Sequence, residues 1–151
     1  MKQTFLIALS VFTLISCKNN SETQSPENTT KIEHTETEAQ KSDQLTLNNN
    51  EKWLVNDEMK PHILKGEELV TLYIKENGTD YKQLAANLKE ENSKLIKSCT
   101  MKGESHEELH KWLHPHLEIV SDLENATEIP QAQEIVQKLS ASYETYHQFF
   151  N

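Results

Sequence analysis

Residues 105–123, SHEELHKWLHPHLEIVSDL, place Leu109, Leu113, Leu117, Val120 and Leu123 at steps of three and four. That spacing draws one apolar stripe down a helix of period 3.6. Ser105 with Glu108 three positions on matches a capping box, so a helix is expected to start there. Working back, Gly103 lies in a turn over Thr100 to Glu104, and before it Tyr81, Leu84, Leu88, Leu95 and Cys99 form a second stripe. Thr79 or Asp80 would cap that helix. Asn77-Gly78 closes a helix expected over Glu51 to Lys75, with Met59, Ile63, Val70 and Tyr73 on one side. Working forward, Asn125 to Ile129 breaks the periodicity, and Pro130 opens a last helix carrying Ile135, Leu139, Tyr143, Tyr146 and Phe150. Pro61 and Pro115 interrupt two of these patterns and should mark a kink or a late start. Short connections between rods of similar length favour antiparallel neighbours, so the expected fold is all-α, an up-down-up-down four-helix bundle over residues 49–151.

The N-terminal third reads differently. Lys2 precedes the apolar run Phe5 to Ile15, long enough for a signal-peptide core and too short for a permanent membrane span. Leu14-Ile15-Ser16-Cys17 resembles the bacterial lipoprotein box, which implies that residues 1–16 are removed and that Cys17 becomes a lipidated N-terminus. The implied place is the cell envelope, anchored to the membrane by lipid and facing the periplasm. Lys18, standing where aspartate would resemble an inner-membrane retention signal, leaves the outer membrane as the default. Residues 17–48 hold few large apolar side chains and are expected to be a disordered tether, with His34 a solvated residue within it.

Composition narrows the function. Acidic residues outnumber basic ones 24 to 15, the net charge is −9, and all 15 basic residues are lysine. Without a basic face or any arginine, nucleic acid is excluded as a partner. With 3 glycines, a phosphate-cradling loop is not expected, and no catalytic motif stands out. Binding, carrying or electron transfer is therefore expected in place of turnover. If Cys17 carries lipid, Cys99 is a single thiol in an oxidising compartment, either buried or liganded.

Candidate ligands gather at one level. Measured from the end with the Asn77-Gly78 turn at about 1.5 Å per residue, Met59 lies roughly 24 Å down, Cys99 30 Å, His106 27 Å, His110 21 Å and His147 25 Å. His114 and His116 come out shallower, and His62 is rotated away from Met59. Each residue also has a plain role: Met59 as core filler, Cys99 as a small buried hydrophobe, His147 as a histidine at a helix C-terminus, His116 as a packed histidine and His114 as an exposed one.

The final segment Tyr146-His147-Gln148-Phe149-Phe150, with Leu139 seven residues before the tyrosine, resembles the C-terminal helix of the periplasmic four-helix-bundle cytochrome b family, cytochrome b562-like. Asp57-Glu58-Met59 matches the place of that family's other ligand. The resemblance implies a non-covalent haem b held by Met59 and His147, with electron transfer as the role. Cys99, Met101, His106 and His110 are extra to that pattern, and the family's arginines have no counterpart. Thiolate, thioether and imidazole form the soft set that suits copper(I), or zinc. The segment Cys99 to His116 also resembles small envelope lipoproteins of Bacteroidetes-like bacteria. Haem or copper(I)/zinc thus stay open as cargoes, with a redox or metal-transfer partner protein implied, beside a cofactor-free interaction or scaffold protein.

Overall fold

The computed structural model describes residues 44–151. Four helices follow one another: α1 Lys60–Lys75, α2 Tyr81–Ser98, α3 Glu104–Asn125 and α4 Ile129–Phe149. Packing runs α1 on α2, α2 on α3, α3 on α4 and α4 back on α1, a closed ring of sequence neighbours that fits the up-down arrangement. The stripes face inward as expected. Ile63 and Val70, Leu84, Leu88 and Leu95, Leu109, Val120 and Leu123, and Ile135, Leu139, Tyr143 and Tyr146 are all buried. No described helix is long and apolar enough to cross a membrane.

Two turns use the expected chemistry. The Asp80 carboxylate accepts from the Gln83 backbone N–H at 3.0 Å and caps α2. Asn77 takes a left-handed φ of 51°, and the Gly78 N–H closes back on the Tyr73 carbonyl at 2.8 Å. A Cβ on Gly78 would run into the Tyr73 ring, which fixes glycine there.

Three expectations fail at element ends. The first helix begins at Lys60, not Glu51, because Pro61 sits in the first turn, where its missing N–H costs nothing. The preceding chain is extended instead: Trp53 N–H donates to Phe149 O at 2.8 Å, Asn151 N–H to Trp53 O at 3.1 Å and Val55 N–H to Asn151 O at 3.2 Å. This lays residues 53–55 along the end of α4 and seals Phe150 at 1 % exposure. The capping box at Ser105 does not form either. Gly103 is the cap residue at φ 67°, Ser105 Oγ donates to the Lys102 carbonyl, and Glu108 turns elsewhere.

Glu108 explains the third difference. It is 6 % exposed, and its two oxygens accept from the Thr46 N–H and the Thr46 hydroxyl, both at 3.1 Å. Lys111 Nζ bonds the same carboxylate at 2.6 Å and reaches the Gln44 carbonyl at 3.1 Å. Trp53 Nε1 donates to Thr46 O at 2.6 Å. Residues 44–48, expected to belong to the tether, are therefore strapped to α3; the rest of the expected tether, with Cys17 and His34, lies outside the described residues.

Candidate metal centre

Hydrogen bonds tie three element ends together. Asn56, three residues before Met59, donates through Nδ2 to the Ser98 carbonyl at 3.1 Å and accepts at Oδ1 from the Thr100 N–H at 3.3 Å. It grips the chain on both sides of Cys99. The end of α2, the entry to α1 and, through Trp53, the end of α4 meet at one end of the bundle.

Side chains on those elements have different surroundings. Met59 is fully buried among core side chains, whereas His147 is exposed and donates from Nε2 to Glu67 Oε2 at 2.8 Å. Cys99 is a free thiol, half-buried, and packs with Met101 against the core from the α2–α3 connection. Among the described residues, no three His, Cys, Asp or Glu side chains lie within reach of a single ion.

What the fold does bring together is a row of imidazoles on α3. His106 and His110 have ring centroids 4.3 Å apart at an interplanar angle of 64°, and His110 and His114 follow at 4.8 Å and 52°. Steps of four residues put all three on one face, one turn apart. His106 and His110 are half-buried and His114 is exposed. Burial first, then the fields of His106 and His114, hold the His110 pKa below the ordinary histidine value. His110 therefore offers a neutral, lone-pair-bearing nitrogen at neutral pH.

No protein-family model, curated protein or solved structure matches this chain. The likenesses to four-helix cytochromes and to small envelope lipoproteins thus rest on the quoted residues alone.

Depth along the rods sets His114 apart from His106 and His110, yet its ring continues their row. Its signal was nonetheless legible, because His106, His110 and His114 repeat at a fixed interval of four. The other histidines have structural partners. His62 Nδ1 donates to Glu91 at 2.9 Å, and Lys94 first, then His62, keeps that carboxyl below the usual carboxylate range. His116 is fully buried, stacks on Trp112 with centroids 4.9 Å apart and shares a 3.0 Å hydrogen bond with Ser142 Oγ.

Proposed function

We propose that this protein is a lipid-anchored metal-ion-binding protein of the bacterial envelope, whose four-helix bundle presents an open two-imidazole site on α3. The observation that carries the reading is the pair His106 and His110, with centroids 4.3 Å apart and a third ring, His114, one turn on. Two imidazoles from one helix leave the remaining coordination positions to solvent or to a partner's donors. Such a site suits an ion taken up and passed on, in contrast to the closed four-ligand site of a structural zinc. Imidazole binds the metal only in its neutral form, so affinity falls as pH drops through the histidine range. The lowered pKa of His110 extends its competence toward acid. Cys99 and Met101 supply soft sulfur on the connection leading into α3, which favours copper(I) as a second cargo beside zinc.

Haem ligation by Met59 and His147 is the competing reading, and it requires His147 to leave Glu67. Calorimetric titration of the full chain with zinc and with copper(I), alongside a haem titration followed by absorption, separates the two. Uptake of about one equivalent of ion that is lost in His110→Ala supports the α3 site. A Soret band that disappears in Met59→Ala and His147→Ala, with ion uptake unchanged in His110→Ala, overturns it.

A further inference from the structure

A cavity opens between α2 and α3. Its volume is about 370 Å³, and its walls are Lys89, Asn92, Ser93, Ile96 and Lys97 on α2 facing Leu117, Val120, Ser121 and Glu124 on α3. The helices run past each other in register: Lys89 pairs with Glu124 at 2.7 Å at one end, and Ile96 and Lys97 face Leu117 at the other. Lys89 to Lys97 spans about 12 Å of helix, which sets the length of an occupant.

Two features make this more than a seam. Ile96 is 49 % exposed, so the groove keeps an apolar wall open to solvent. Asn92, by contrast, is 6 % exposed, and its Nδ2 is buried with no hydrogen-bond partner among the described residues. Leaving such a donor unpaired costs about 1–3 kcal/mol, which an incoming acceptor would recover. The polar groups still free in the groove are donors or hydroxyls: the Asn92 amide, Ser93, Ser121 and the Lys97 ammonium, which has no ion pair among the described residues. Its one carboxylate, Glu124, is already neutralised by Lys89. An ammonium and a buried amide N–H that both lack an acceptor, beside an apolar wall, favour an anion with a hydrocarbon body.

We propose that the α2–α3 groove binds a small apolar carboxylate, with the acid group on Asn92 Nδ2 and Lys97 and the hydrocarbon chain along Ile96, Leu117 and Val120. The volume falls in the range of small-molecule sites, and the occupant is a free acid about as long as the groove.

The test is a titration of the isotope-labelled full chain with decanoate, followed by the Asn92 side-chain amide resonance, with decanol and decylamine as controls. Saturable decanoate binding that moves that resonance, with decanol weaker by about tenfold, is the expected result, since one charge-assisted hydrogen bond separates the two. Lys97→Gln should narrow that difference, and Asn92→Leu should abolish the preference for decanoate while leaving decanol bound. Equal binding of all three ligands, decylamine preferred over decanoate, or no movement of the Asn92 amide overturns the proposal. The helical circular dichroism and urea midpoint of each variant, set against those of the parent chain, serve as an independent check that it remains folded.

Discussion

His116 shows what a histidine packed into a core does to stability. It lies between Trp112 and Tyr143, with ring centroids 4.9 and 4.8 Å away, and its Nε2 has no partner among the described residues. Burial pushes its pKa down to about 4. The unfolded chain holds a proton on this ring below the ordinary value of 6.5 while the folded chain refuses it, so stability is complete above that value and falls between pH 6.5 and about 4. The loss should reach about 3 kcal/mol for this one group. Urea unfolding across that window should show the decline, and His116→Phe, which keeps a ring but cannot titrate, should flatten it. At Gly66 the constraint is steric. It is buried under Tyr143, and an added Cβ would meet the Tyr143 hydroxyl. Tyr143 is itself buried, at 3 % exposure, and has little room to yield. Gly66→Ala should therefore cost about 1–3 kcal/mol in a denaturant titration despite its better helix propensity. A packed His116 is legible from its stripe, but the partner common to both residues, Tyr143, comes from another helix and could not be read from one sequence.

At the scale of the element, α3 carries most of the chemistry on two adjoining faces. Its inner stripe packs Leu109, Leu113, Val120 and Leu123, and its outer row presents His106, His110 and His114. His110 belongs to both adjacent pairs, whereas each end histidine belongs to one. If the row holds an ion, His110→Ala should weaken zinc binding by far more than either His106→Ala or His114→Ala, by at least about tenfold. Equal effects at all three positions would instead indicate loose, nonspecific association. Legibility was uneven along this helix. The apolar spacing announced the stripe, but the Ser105 and Glu108 pattern suggested a cap that the fold replaced. Glu108 found stronger partners in Thr46 and Lys111, more than fifty residues of chain being irrelevant once the strap docks.

For the whole molecule, that strap joins the bundle to the chain that precedes it. Hydrogen bonds to Lys111 and Thr46 outweigh burial and hold the Glu108 carboxyl below the usual carboxylate range, so it is charged at neutral pH. Glu108→Ala should leave Lys111 and the Thr46 N–H without their shared acceptor, at about 2 kcal/mol, and should speed amide exchange at Thr46 and Trp53 more than in the helices. Exchange that rises uniformly would mean the strap unfolds only with the bundle. If the chain is anchored by lipid at Cys17, this clasp sets where the chain from the anchor meets the domain, at Glu108 and Lys111 on α3.

Helix number, order and inward faces were determined by the sequence itself, because a period of three and four needs only neighbours along one rod, and Asp80, Gly78 and Pro61 act on their own backbone. The tertiary structure alone decided which polar side chains meet. Glu67 with His147 and Thr46 with Glu108 are pairs 80 and 62 residues apart. Their partners are chosen by how four rods pack, and a depth scale along each rod carries no information about the direction a side chain faces around it.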